Sequence, residues 1–141
     1  MKILVSACLL GENCKYSGGN NYNEAVINYC KGHSVIPVCP EVLGGLPIPR
    51  EPAEIVNGEV RNRLASVDKE FREGARIALE TALNEQVDLA ILQSRSPSCG
   101  IGTIYDGSFT GAKASGNGVF AQLLIDNGIK VIDAGGLDRG L

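Results

Sequence analysis

The sequence predicts an α/β fold: a mainly parallel sheet of about four strands with helices packed on its faces. Three observations carry that reading. Short Val/Ile/Leu-rich runs recur at residues 3–6, 34–38, 89–92 and 130–132. Their lack of polar alternation suits strands covered on both faces. Segments with helical spacing fall between them, which implies right-handed crossovers. The third observation is length, because 141 residues suit one domain. The expectation is a single small Rossmann-like domain over 1–141, with the strand order left open.

The first run lies in "MKILVSACLLG", which superficially resembles a signal peptide. The apolar stretch is only a strand long and stops at Gly11-Glu12-Asn13, so the expectation is a buried first strand in a cytoplasmic protein. No stretch approaches the ~20 apolar residues of a membrane span. A helix is expected near 23–29, before the second run. "IVNGEV" (55–60) reads as a hairpin on Asn57-Gly58. The strongest helix follows Ser66 as N-cap, with Asp68 and Glu70 in the first turn. Phe71, Ala75, Ala78, Leu79, Ala82 and Leu83 form its apolar face. After the third run, "IYDGSF" (104–109) reads as a second hairpin on Asp106-Gly107; either hairpin could instead be an open loop. A last helix over about 117–127 buries Phe120, Leu123 and Leu124 and stops at Gly128.

Composition narrows the function. Hydrophobic residues make up 44% and charged residues 21%, as in ordinary globular chains. Net charge is −3 with no Lys/Arg run. A broad nucleic-acid surface would need a basic stripe, so neither a large nucleic acid nor a membrane is an expected partner. A small phosphate site remains compatible.

The cysteines are the informative residues. There are five (Cys8, Cys14, Cys30, Cys39 and Cys99) and one histidine, His33. An odd number makes a poor disulfide framework. Ligands of open α/β sheets bind outside the carboxyl ends of the strands. Cys8, Cys39 and Cys99 each follow a predicted strand there, so three thiols on three strand exits can converge. Three thiolates without histidine favour a soft metal, and a [4Fe-4S] cluster held by three cysteines keeps one iron open. Adding Cys14 makes a four-cysteine set suited to structural zinc. Cys30 fits a buried thiol. Against all of this stands the ordinary use of cysteine as a small core residue.

The flanking residues favour a site. "VCPEVLGGLPIPR" (38–50) holds three of the six prolines and a Gly-Gly pair, which makes a shaped loop beside Cys39. Glu41 stands two residues past Cys39. "SRSPSCG" (94–100) surrounds Cys99 with Ser94, Ser96 and Ser98, candidate hydrogen-bond donors or ordinary turn residues.

Together "VSACLLGENCKYSGG", the CPEVLGGLPIPR segment and "SRSPSCG" resemble a family of small proteins that includes the TudS-type thiouracil desulfidases. The resemblance covers nearly the whole chain. It implies an enzyme that replaces the sulfur of a thiouracil base or thiouridine nucleotide with oxygen and releases sulfide, without net redox change. It implies a [4Fe-4S] cluster on Cys8, Cys39 and Cys99, with Glu41 and either Ser96 or Ser98 in catalysis. In that scheme the open iron draws off sulfur as a Lewis acid. Glu41 is the general base for water.

A thionucleotide would also need a phosphate site. Candidates are Lys15, Ser17, Gly18 and Gly19 of "KYSGG", the helix-opening "SGNG" (115–118), and the charges of Arg50 and Lys113. Two other readings compete: a zinc or cluster structural module, and a nucleotide-binding protein with incidental thiols. Base, nucleoside and nucleotide substrates are not distinguished by the sequence, nor is oligomeric state.

Overall fold

Ile3, Leu4 and Val5 are fully buried in β1 (Lys2–Ser6), the strand around which the chain is arranged. The computed structural model describes residues 1–138, so the last three residues of the expected 1–141 domain lie outside it. β1 pairs in parallel with β2 (Ser34–Val38) on one side and β5 (Leu89–Leu92) on the other. β8 (Val131–Asp133) pairs in parallel with β5 and completes the order β2-β1-β5-β8. The parallel α/β expectation is met, and the last strand begins one residue later than expected.

Two of the four strands are less buried than their apolar runs suggested. β1 and β5 are central and buried along their length, apart from Lys2. β2 and β8 are edges and mostly half-exposed. Pro37 explains the place of β2, since a residue without an N–H is tolerated on an edge strand.

Alternation along the central strands divides the core. Ile3, Val5, Leu89 and Ile91 pack with Val26 and Cys30 of α1 (Glu24–Cys30) and Ala134 of α5 (Ala134–Asp138). Leu4, Ala90 and Leu92 face the other way, onto α3 (Asp68–Asn84) and α4 (Val119–Asp126). Each large side chain buried here contributes roughly 1.5–3 kcal/mol. The connection leaving β1 covers one face and the connection entering β5 covers the other. The carboxyl ends of β1 and β5 therefore flank the crevice where such sheets bind ligands.

The helices follow their local signals with two corrections. Asn23 caps α1 through its side-chain oxygen, which accepts the Val26 N–H at 3.2 Å. Ser66 is not the cap of α3: Val67 holds that position without a side-chain cap bond. Asp68 instead turns outward from the helix start to accept the Val60 N–H at 3.0 Å. Leu83 is not part of the buried face but is 49% exposed, because twelve residues past Phe71 it stands about 120° around the helix, on the flank of the stripe. Gly128, with φ 77°, ends α4 as expected.

Two small hairpins stand beyond the sheet. β3 (Glu54–Val56) and β4 (Glu59–Arg61) turn on Asn57 and Gly58, both with positive φ, as a type I′ turn needs. β6 (Thr103–Tyr105) and β7 (Lys113–Ser115) pair through a loop over 106–112. The tight turn expected on Asp106-Gly107 is absent, since Asp106 forms a local turn with Ser108 and strand pairing resumes only at Lys113.

Candidate functional site

The exits of β1, β2 and β5 open into one cavity of about 600 Å³. Cys8, Cys14, Cys39, Cys99, Glu41 and Arg50 all line it. Cys8 sits in the 3-10 turn over Ala7–Leu10 that follows β1, and Cys39 lies between β2 and α2 (Pro40–Leu43) as the N-cap residue of that helix. Cys99 follows β5 through the Ser/Pro loop. Cys30, at the far end of α1, is buried in the core and does not line the cavity. His33 lies at the opposite end of β2, where its Nδ1 is 2.9 Å from the chain's amino group.

Two close backbone contacts hold these exits in place. α2 packs on α3 through Gly44 and Gly74: a Cβ on Gly74 would overlap the Pro40 carbonyl, and one on Gly44 the Glu70 carbonyl. This contact fixes the helix that carries Glu41. The N-terminus of α4 grips the Cys99 loop. Val119 N–H donates to Pro97 O at 2.8 Å, and Phe120 and Ala121 donate to Ser98 O at 2.9 and 3.1 Å. Within "SGNG" the Gly118 N–H donates to Gly100 O at 2.8 Å, so this motif too is engaged with the cysteine loop, and Lys113 and Ser115 are exposed on β7.

The thiols are free and not cross-linked. Burial pushes the Cys8 thiol up, the Asn21 amide (3.4 Å from its sulfur) offsets part of this, and Cys39 and Glu41 add to the rise. Cys99 is pushed up to about 12, first by burial, while the Ser6 hydroxyl draws it down. Ser6 Oγ accepts the Gln93 N–H at 3.0 Å, so its proton is free for that sulfur. Cys14 is raised by burial and by Cys39 beside it. Buried neutral thiols give up their protons when a cation arrives to hold them as thiolates.

This donor set fits an iron–sulfur cluster. It is all sulfur and lies on separate chain segments facing one cavity, and soft thiolates select such clusters. Among the described residues no three His, Cys, Asp or Glu side chains gather as they would around a metal ion. A cluster spreads its thiolates over separate irons, so it tolerates that wider setting better than one tetrahedral zinc does.

The polar residues divide by contact. Arg50 Nε donates to Glu41 Oε1 at 3.0 Å, Nη2 to Cys14 O at 2.8 Å and Nη1 to Pro47 O at 3.1 Å. Its charge is thus paired within the protein. Glu41 is still pushed up on balance, first by burial and less by what Arg50 restores. Ser96 lines the cavity, and its Oγ accepts the N–H groups of Ser98 and Cys99, each at 3.0 Å. With both lone pairs occupied, its proton is what remains to offer. Ser98 is 1% exposed, with its hydroxyl 3.9 Å from the Cys99 sulfur. Ser94 lines the cavity and donates to Asp133 at 2.9 Å. Lys15 faces the cavity, with Nζ 3.4 Å from Asn21. Ser17, Gly18 and Gly19 close a local turn in which Gly18 N–H donates to Lys15 O and Gly19 N–H to Ser17 Oγ.

Sequence reasoning passed over Ser6, Asn21 and Phe109. Ser6 could have been found as the polar end of a buried strand two residues before Cys8. Nothing local marks Phe109, which reaches the cavity from the β6–β7 loop.

Comparison with known proteins agrees with this geometry. The family model described as 2-thiouracil desulfurase matches residues 3–135. YbbK of Bacillus subtilis (strain 168) is 40% identical, with 92% of this chain and 93% of that protein covered. A solved structure of the [4Fe-4S]-dependent thiouracil desulfidase TudS is similar at 39% identity and TM-score 0.89, covering 98% of this chain and 93% of that one.

Proposed function

The chain belongs to the 2-thiouracil desulfurase family, and we propose that it is a [4Fe-4S]-dependent desulfidase that exchanges the sulfur of a thiolated pyrimidine for oxygen. The convergence of Cys8, Cys39 and Cys99 on the cavity that also takes Glu41 is the observation that supports this most. Those three cysteines would hold the cluster, and Cys14 would stand beside it as a free thiol. When bound, the cluster supplies a sulfur-seeking Lewis acid.

The remaining work falls to the chain's own side chains. Arg50 fixes one carboxylate oxygen of Glu41, leaving Oε2 to take a proton from water. Ser96 presents its hydroxyl proton to a ring heteroatom or to the departing group. Asn21 hydrogen-bonds the Cys8 sulfur, and the Ser6 hydroxyl favours the thiolate of Cys99, so both help to steady the ligands.

The substrate is a small thiolated base, nucleoside or nucleotide, with Lys15 available to an anionic group and Ser17, Gly18 and Gly19 shaping the turn behind it. The test is oxygen-free purification, assay of iron and labile sulfide, and turnover of 2-thiouracil and 4-thiouridine. Glu41→Gln is expected to keep its cluster and lose at least about a hundredfold in kcat, the scale of general-base catalysis. Full activity in that variant, or a wild type that holds no iron after anaerobic reconstitution, would overturn the reading.

A further inference from the structure

One wall of the cavity comes from outside the sheet. Tyr105 and Phe109 of the β6–β7 hairpin line the same space as the cysteines. Phe109 has φ 59°, a left-handed conformation unfavourable for a bulky side chain. Contacts from Glu54 and Arg63 hold it there. The carboxylate of Glu54, itself buried, accepts the N–H groups of Gly107 and Phe109 at 2.9 and 3.2 Å. Arg63 Nη2 donates to Phe109 O at 3.1 Å. The Arg63 guanidinium also lies over the Phe109 ring, 5.7 Å from its centroid.

A phenylalanine serving only to pack would be buried in one of the two core clusters. Phe109 belongs to neither and is half-exposed on the cavity wall. A buried carboxylate and a guanidinium, both reaching across from another hairpin, are a large apparatus for one loop residue. Its effect is to keep an aromatic ring in the wall of the site. Planar heterocycles stack on such rings.

We infer that Phe109 is a specificity-determining residue that stacks against the planar ring of the substrate, and that Glu54 is the positioning residue that holds it in the wall. The inference rests on the desulfidase reading for the identity of the ring, a pyrimidine. Arg63 lines the cavity too and lies over one face of the phenyl ring, which leaves the other face for the pyrimidine. The contact is indifferent to the sulfur, so it acts on binding of the ring rather than on the exchange.

The experiment uses the full chain with its cluster reconstituted, in wild type, Phe109→Leu, Phe109→Trp, Glu54→Ala and Glu54→Gln. Iron and labile sulfide per chain and thermal melting are measured first. The Kd for uracil is then taken by calorimetry, and kcat and KM for 2-thiouracil by turnover. Leucine keeps apolar volume and removes the aromatic face, so Phe109→Leu is expected to weaken uracil and raise KM about tenfold with kcat within about threefold, the scale of base–aromatic stacking. Phe109→Trp keeps both constants near wild type. Glu54→Ala repeats the Phe109→Leu pattern with iron content unchanged, and Glu54→Gln, which can still accept an N–H, restores most of the loss.

Unchanged Kd and KM in cluster-loaded Phe109→Leu would overturn the inference. So would a Glu54→Ala variant that retains its fold and wild-type ring affinity. A wild type that binds uracil through Phe109 but turns over no thiolated pyrimidine would sink the desulfidase reading and leave the aromatic wall standing.

Discussion

The Arg50 guanidinium meets the Glu41 carboxylate at 3.0 Å, with the two side chains only 6% and 19% exposed. The same guanidinium spans the carbonyls of Cys14 and Pro47. It therefore joins the loop after β1 to the loop after α2. Removing one partner leaves the other charge largely buried and alone. Arg50→Met is expected to cost ~3 kcal/mol in urea unfolding, and the double variant with Glu41→Gln to recover a good part of that. Arg50→Lys keeps the charge and loses the fork, so it falls between. Additive losses in the double variant would mean that the pair is not coupled.

The cysteines are expected to separate by role. Cys8→Ala, Cys39→Ala and Cys99→Ala each lose most iron and labile sulfide after anaerobic reconstitution. Cys14→Ala keeps both, and Cys30→Ala, a core change away from the cavity, keeps both as well. Loss of iron in Cys14→Ala comparable to the other three would make the site a four-thiol one and close the open position.

Gly74 lies against the carbonyl of Pro40, where no Cβ fits. Gly74→Ala is expected to push α2 off α3 and to destabilise the fold by about 2–3 kcal/mol. Because α2 carries Glu41 and begins at Cys39, iron content should fall with it. Denaturation and iron assay on the same sample check both. Wild-type stability in Gly74→Ala would show that the two helices separate freely.

Ser96 and Ser98 are expected to differ in kind. Ser96→Ala removes the acceptor of two loop N–H groups and the free proton in the cavity. It should lower kcat in whatever fraction of the protein still holds a cluster. Ser98→Ala removes a buried hydroxyl beside the Cys99 sulfur and should show mainly as reduced cluster retention. The comparison is kcat per bound cluster, and equal values in the two variants would contradict it.

Asp68 ties β4 to α3. Burial works to raise its pKa, but the Val60 N–H and Arg72 outweigh burial and hold it below the ordinary aspartate value. The unfolded chain then binds the proton more readily than the folded one, so this bond adds stability above the unfolded pKa of about 3.9. That contribution disappears as pH falls through the lower folded value. Asp68→Asn should cost on the order of 1 kcal/mol at neutral pH and flatten the acid limb of the stability–pH curve. An unaltered acid limb would assign that slope to other carboxylates.

Much of this molecule was legible in the chain. The runs at 34–38 and 89–92 became β2 and β5 without change, and Cys8, Cys39 and Cys99 stand past their strands as expected. Of the two readings open for Asn57-Gly58, hairpin or open loop, the hairpin formed. These are local matters: a hydrophobic run, a turn residue or a place at a strand's end is encoded within a few neighbouring positions.

What required the tertiary structure was the partner of each polar group. Arg50 looked like a charge for phosphate and is instead paired with Glu41 and Cys14 O. The amides opening α4 looked open to an anion and instead hold the Cys99 loop. Leu83 was read into the helical stripe and lies exposed, because periodicity says which face is apolar but not how wide a strip the neighbouring elements cover. Glu54 reaches Phe109 across 55 residues, and nothing near either position announces the other. The sequence by itself determined the strands, the crossovers and the strand exits on which the thiols stand. The folded chain alone decided which charges meet, which amides are already engaged and which aromatic side chain joins the cavity wall, because a hydrogen bond or ion pair depends on where distant segments return in space.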